Sequence, residues 1–351
     1  MEQNTSDIQV AKTSKEPLFG KTLDELNVLV TELGLPKFTA KQIADWLYKK
    51  EITSIDEMTN LSVKARQKLS ESFEIGLVGP VKVQVSTDGT KKYLFATAHQ
   101  KYIETAMIPD KDRVTVCVSS QVGCKMGCLF CMTGKQGFNG QLSAGEIVNQ
   151  VRMIEEFNKV TNIVYMGMGE PFDNLNEVIK STEILTAEWG YAMSPRRITV
   201  SSIGIVPALK RFLSESKCNL AISVHTPFDD ERQKLMPVQL AYPLKNVLNE
   251  IRNFDFDNQR KVSFEYIVFG GMNDTNEHVK EMARLFNGIK SHVNLIRFHP
   301  IPGTPLNPSN ENRLQEFKDA LNKKGILTTI RASRGQDIYA ACGLLSTKGL
   351  K

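Results

Sequence analysis

The chain has no apolar run long enough to cross a bilayer and no hydrophobic core near its start that would make a secretory leader. The expectation is therefore a cytoplasmic protein with no membrane partner. Cysteine is sparse, six in 351 residues, which excludes a secreted disulfide scaffold. No sign of charge dominates either: a net +5 permits a polyanionic partner without demanding one. What is present is ordinary globular material, 41% hydrophobic and 24% charged, able to bury a core without cross-links. The length suits two or three domains, or one large barrel with an appendage.

The few cysteines are concentrated. Cys117, Cys124, Cys128 and Cys131 share one short region, with Cys218 and Cys342 far away. The stretch Cys124-Lys125-Met126-Gly127-Cys128-Leu129-Phe130-Cys131 places three residues between its first two thiols and two between its last. Three thiolates can hold three irons of a [4Fe–4S] cluster and leave the fourth open. Electron-transfer clusters and structural zinc sites are instead closed by four ligands. An open corner suits a cluster that binds a small molecule. A zinc knuckle completed by a distant ligand is the alternative.

Residues 1–18 are polar and mixed in charge and read as a disordered arm. A helical leader, 19–76, follows, with helices predicted over Thr22–Leu33, Thr39–Lys50 and Val63–Phe73 from apolar residues at helical spacing. It carries Lys37, Lys41, Lys49, Lys50, Lys64, Arg66 and Lys68, either a solvated face or a grip for phosphates. Residues 77–109 switch to period two with a turn at Asp88-Gly89 and read as a β-hairpin linker whose second strand carries Glu104.

From 110 to 342 strand and helix alternate. Strands are predicted at Val114–Val118, Asn162–Tyr165, Arg197–Ser201, Asn219–Val224, Val262–Val268 and Val293–Phe298. Helices are predicted at Ala144–Phe157, Leu175–Thr186, Val206–Leu213, Leu244–Phe254, Glu277–Phe286 and Arg313–Asn322. Six βα repeats make the fold class α/β, most economically an incomplete (β/α)₆ barrel, with residues 343–351 as a C-terminal tail. A doubly wound sheet is the alternative, but no G-x-G-x-x-G turn follows the first strand.

In such barrels chemistry sits at the C-terminal strand ends. There lie the three-cysteine loop, Gly167, Gly169 and Glu170, Ser201, Ser223-Val224-His225, Asn294 and His299. The glycines let backbone approach a ligand ammonium group, or simply make a tight turn. The serines can bind ribose hydroxyls or cap helices. Cys342 is flanked by small residues, so it can thread into a site, with Arg331 and Arg334 holding it or binding phosphate; otherwise it is a half-buried small hydrophobe.

With these motifs in place, the chain resembles the RlmN family of radical-SAM enzymes over nearly its whole length. The likeness includes Lys41-Gln42-Ile43-Ala44-Asp45-Trp46-Leu47-Tyr48, Val116-Cys117-Val118-Ser119-Ser120-Gln121-Val122-Gly123-Cys124, Gly137-Phe138-Asn139 and Ala340-Ala341-Cys342-Gly343. The resemblance implies methylation of C2 of adenine 2503 in 23S rRNA and adenine 37 in tRNAs. It implies one [4Fe–4S] cluster on Cys124, Cys128 and Cys131, and S-adenosyl-L-methionine (SAM) bound by Gly169, Glu170, Ser201, Ser223, Val224, His225 and His299. Two SAM are consumed per methylation: one methylates Cys342, and the other is cleaved to a 5′-deoxyadenosyl radical that activates that methyl. Cys117 then pairs with Cys342 as a disulfide and frees the base, with Glu104 accepting the C2 proton.

The implied partners are 23S rRNA, tRNA and a one-electron donor such as flavodoxin or ferredoxin, and the implied state is a monomer. Cys218 has no part in the scheme and reads as a core thiol. At the sixth strand end many relatives have asparagine where this chain has His299, which cannot imitate both halves of an amide. Two competing readings are a Cfr-like adenine C8 methyltransferase and a non-catalytic RNA-binding protein with a structural metal.

Overall fold

The computed structural model describes residues 15–98, 100–256 and 262–347. Most of the expected arm and the last four residues of the tail lie outside the described residues. Where the arm is described it is ordered: strand β1 (Glu16–Pro17) pairs in parallel with β2 (Phe73–Glu74), and Leu18 is fully buried.

The leader contains α1 (Leu23–Glu32), α2 (Phe38–Lys49) and α3 (Val63–Ser72). Thr22 starts α1: its hydroxyl accepts the Glu25 N–H at 3.2 Å while the Glu25 carboxylate accepts the Thr22 N–H at 2.8 Å, satisfying two end donors reciprocally. The leader packs onto the α/β unit. Tyr48 lies 5.7 Å from the rings of both Trp189 and Tyr191. Gly20 has φ +96°, and a Cβ there would come within 2.4 Å of the Gly145 backbone, so the contact requires glycine.

The expected hairpin is a three-stranded antiparallel meander of β3 (Lys82–Val85), β4 (Lys91–Ala96) and β5 (Tyr102–Asp110). It continues the main sheet, because β5 pairs antiparallel with β6 (Arg113–Cys117). The cluster loop carries a short ribbon of β7 (Gln121–Gly123) and β8 (Phe138–Gln141) around α4 (Met132–Gln136).

The repeats then run α5 (Ala144–Arg152), β9 (Asn162–Tyr165), α6 (Leu175–Thr186), β10 (Ile198–Ser202), α7 (Val206–Glu215), β11 (Asn219–Ser223), α8 (Asp229–Leu235) and α9 (Leu244–Asn253). They finish with β12 (Val262–Val268), α10 (Asn276–Leu285), β13 (Ser291–Arg297), α11 (Glu311–Lys323) and β14 (Thr328–Ile330). Sheet order is β14-β13-β12-β11-β10-β9-β6-β5-β4-β3, with every pairing from β6 to β14 parallel. This is the incomplete barrel expected, extended by one edge strand, β14.

Alternation decides the two faces. In β13, Val293 and Leu295 are fully buried in the core, whereas His292, Asn294 and Ile296 line a cavity. In β12, Phe264 and Tyr266 go to the core while Ser263, Glu265 and Ile267 line that cavity. The convex face therefore packs on helices, and the concave face, left unfilled by the open sheet, is polar.

Candidate active site

The concave face encloses a cavity of about 640 Å³. All three loop cysteines line it, together with Phe130 at its wall. The loop is held from two sides: the Leu129 N–H donates to the Leu235 carbonyl at 2.9 Å, and the Met132 N–H to the Gly343 carbonyl at 2.8 Å. Gly123, with φ +74°, lets the ribbon close, since a Cβ there would sit 1.8 Å from the Gly137 oxygen.

Burial pushes the Cys124 thiol up to about 12 and the Cys128 thiol well above its usual range, and the neighbouring thiols add to both shifts. Three crowded, desolvated thiols become good thiolate donors when a cation sits among them. Among the described residues, no three His, Cys, Asp or Glu side chains converge closely enough for a single ion.

Glu170 is buried and ties two strand ends together. One carboxylate oxygen accepts the Phe172 N–H at 3.0 Å and the other accepts the Ile203 N–H at 3.1 Å. Burial lifts its carboxyl from 4.5 to about 7, against the hydrogen bonds from Ser202, Phe172 and Ile203 that favour the carboxylate. Gly167 and Gly169 line the cavity, but their need for glycine is also internal. A Cβ on Gly167 would meet the Val118 oxygen at 2.7 Å, and one on Gly169 would meet the Gln121 Cβ at 2.5 Å.

Ser201, Ser223 and His225 line the cavity. Val224 does not: it is fully buried in the core, because period two turns it to the convex face between two inward neighbours. His225 has φ +60°, a left-handed conformation rare outside glycine. Its Nδ1 accepts the Ile267 N–H at 2.9 Å, so the neutral ring carries its proton on Nε2. Burial, and then the charge of Arg232, lower its pKa to about 3. His299 also lines the cavity, its Nε2 3.1 Å from the Ser333 hydroxyl, and burial and Arg297 keep it neutral.

Cys117 and Cys342 border the same cavity. Cys342 is exposed, and it feels the charge of both Cys117 and Cys131. Burial raises both thiols, Cys117 to about 12, and Arg331 pulls both back down. Cys218 is buried in the main core, away from these thiols.

The segment carrying Cys342 is strapped down. Gly335 N–H donates to Asp88 at 2.9 Å and Ser86 to Asp337 at 2.5 Å, so the meander turn clasps the C-terminal loop. Glu104 is not a cavity-lining residue. It shares the concave face of β5 with Ala106 and Ile108, but its carboxylate is capped by Lys92 at 3.0 Å and by the Ser346 N–H at 2.9 Å. Asn294 lines the cavity and donates to Glu265 at 2.8 Å. Arg334 reaches toward Asp110 at 3.9 Å.

Two residues escaped the sequence reading. Glu265 is a buried carboxylate at the centre of β12, legible as a charge at an alternating position in Val-Ser-Phe-Glu-Tyr-Ile-Val. Arg232 is fully buried beneath the rim. Its guanidinium donates to the Ile203 and Ser223 carbonyls and to Gln239, at 2.9, 3.1 and 2.6 Å. Burial lowers it to about 10, and Cys128 and Asp229 oppose that shift. Its position in a charged helical stretch offered no signal.

Residues 118–286 match the radical SAM superfamily, and residues 17–75 match the ribosomal RNA large subunit methyltransferase N-terminal domain. The chain is 55% identical over 336 residues to the "Probable dual-specificity RNA methyltransferase RlmN" of Phocaeicola vulgatus, covering 96% of each. It is 45% identical to the "Dual-specificity RNA methyltransferase RlmN" of Campylobacter hominis, covering 94% of this chain and 96% of that one. A crystal structure of a radical SAM methyltransferase from Sphaerobacter thermophilus superposes with a TM-score of 0.87 at 40% identity, covering 94% of this chain and 98% of that one. On this identity and coverage, the chain belongs to the RlmN family of dual-specificity RNA methyltransferases within the radical SAM superfamily.

Proposed function

We propose that this radical-SAM RNA methyltransferase methylates C2 of adenine 2503 in 23S rRNA and adenine 37 in tRNAs. The observation that carries the reading is the placement of Cys342. It comes from the last ten residues of the sequence, yet shares one cavity with Cys117 and with the three-cysteine loop.

The family implies SAM and a [4Fe–4S] cluster. Cys124, Cys128 and Cys131 would hold the cluster, which supplies the electron for SAM cleavage. Gly169, Glu170, Ser201, Ser223, His225 and His299 then line the space for SAM, with the backbone at Val224 setting the turn. Cys342 accepts a methyl as its thiolate, favoured by Arg331. C2 of adenine is electron-poor, so an alkyl radical adds where polar transfer fails. Cys117 attacks the Cys342 sulfur to release the product as a disulfide forms, and Glu104 takes the C2 proton once Ser346 has moved off. The base must leave its stack to enter the cavity. The basic leader contacts phosphates, and a flavodoxin or ferredoxin supplies electrons to a monomeric enzyme.

The test is anaerobic reconstitution with reductant, SAM and each RNA, followed by nucleoside mass spectrometry. The expected product is 2-methyladenosine from both RNAs, and the Cys117→Ala protein is recovered crosslinked to RNA. A C8-methylated product would favour the Cfr-like chemistry. Crosslink-free, fully active Cys117→Ala protein would overturn the disulfide step.

A further inference from the structure

Arg331 stands beside both thiols and favours the Cys342 thiolate, but that role asks only for a nearby positive charge, not for a guanidinium tethered to a carboxylate. Its backbone N–H donates to the Leu295 carbonyl at 2.9 Å, and its carbonyl accepts from Arg297 at 2.9 Å. The side chain is thereby aimed into the cavity it lines. Nη1 lies 3.4 Å from both Glu265 Oε2 and Met166 Sδ. Glu265 is itself held by Asn294 at 2.8 Å and Ser263 at 3.1 Å. These contacts use one guanidinium nitrogen, whereas arginine offers five N–H donors in a rigid fork. Met166, Glu265, Arg331, Cys117 and Cys342 all face the same space.

A base whose C2 meets the carbon on Cys342 presents two ring nitrogens, N1 and N3, one on either side of that carbon. Both are lone-pair acceptors. In the addition step the unpaired electron of the methylene carbon and one π electron of the ring form the new C–C bond. The unpaired electron then resides on the ring, with no change of charge and no external oxidant. A carbon radical next to sulfur is electron-rich, so the step accelerates as the ring becomes more electron-poor. A cationic N–H donor on a flanking nitrogen does this, in the way a preorganised donor stabilises developing charge elsewhere.

Resting on the C2 reading above, we propose that Arg331, oriented by Glu265, is a catalytic residue that donates a hydrogen bond to the ring nitrogen flanking adenine C2. This activates the ring toward radical addition. The Glu265–Asn294 pair is the positioning device, since it sets where the guanidinium points.

The experiment uses reconstituted holoenzyme in a Cys117→Ala background, where the RNA–protein adduct accumulates, and reads adduct formed per 5′-deoxyadenosine produced. RNA carrying adenine, 1-deazaadenine or 3-deazaadenine at the target is compared with and without Arg331→Met. Arg331→Met is expected to lower the yield on adenine RNA about 100-fold. One deaza base is expected to cost the Arg331 enzyme heavily, and that penalty should shrink at least about tenfold in Arg331→Met, as two changes at one contact couple. Arg331→Lys should restore part of the yield. If the arginine and deaza penalties multiply independently for both analogues, the proposal is overturned. Absence of any adduct with adenine RNA, when Arg331 is intact, would remove the C2 reading itself and the proposal with it.

Discussion

Lys92 and Glu104 are diagonal neighbours on β4 and β5, and their charged groups meet at 3.0 Å with side-chain exposures of 9% and 7%. Lys92 lies opposite Ala106, two residues beyond Glu104, so both side chains share the concave face. The second carboxylate oxygen accepts from the C-terminal Ser346. The residue proposed above as proton acceptor is thus held in an ion pair beneath the segment that carries Cys342.

Lys92→Met leaves that carboxylate buried without its cation. A loss of about 3–5 kcal/mol in urea unfolding is expected, as for other broken buried pairs, with part recovered in Lys92→Met/Glu104→Gln. An unchanged midpoint for the single variant would show the pair to be energetically idle.

Glu170 imposes a pH dependence. Its folded value, about 7, lies above the ordinary 4.5, so the folded chain holds a proton that the unfolded chain releases. The stability this group contributes is full below 4.5 and is lost as pH rises through 7. The change is about 3 kcal/mol at most. Glu170→Gln removes this slope, so its melting temperature relative to the parent should climb between pH 5 and 8. Parallel curves would contradict the assignment.

Gly169→Ala places a Cβ 2.5 Å from the Gln121 side chain and 2.8 Å from its backbone nitrogen, at φ +98°. A destabilisation of about 1–3 kcal/mol is expected, together with weakened SAM binding because Glu170 is the next residue. Calorimetry of unfolding and of SAM titration checks both; normal values in each would show that the turn yields.

The C-terminal segment is held at Gln136, whose amide bonds the Thr347 N–H at 2.9 Å and the Thr347 and Ser346 hydroxyls at 2.6 and 3.1 Å. Gln136→Ala removes these contacts. At about 1 kcal/mol each, the three together should cost about 3 kcal/mol of local stability, read as hydrogen exchange at the Thr347 amide roughly a hundredfold faster. Equal rates would mean that other straps alone hold the loop.

Much of the architecture was legible because each feature repeats locally. Apolar spacing located the leader helices to within a residue: α1, with its Thr22 and Glu25 cap, runs Leu23–Glu32 where Thr22–Leu33 was expected. The six parallel strands announced themselves as β-branched runs at regular intervals. What escaped was short or nonlocal. β14 has three residues and exists through its pairing with β13. The β7–β8 ribbon depends on glycines inside the cluster loop. The helix expected to reach Phe157 ends at Arg152, where Arg152 stacks over the Phe157 ring at 4.8 Å and that ring packs on Tyr191.

The amino-acid sequence by itself determined the chemistry available: three thiols at one spacing, a Gly–Glu turn, and two further thiols far apart in the chain. Residue type and spacing carry that information because a thiol or a glycine behaves as such in any fold. Only the tertiary structure decided which groups meet. Curling the sheet left its concave face unfilled, which gathered Glu265, Asn294 and Arg331 beside Cys117 and Cys342. The same packing turned Val224 into the core and covered Glu104 with Ser346. Those outcomes depend on strand pairing and chain closure over hundreds of residues, which no local pattern encodes.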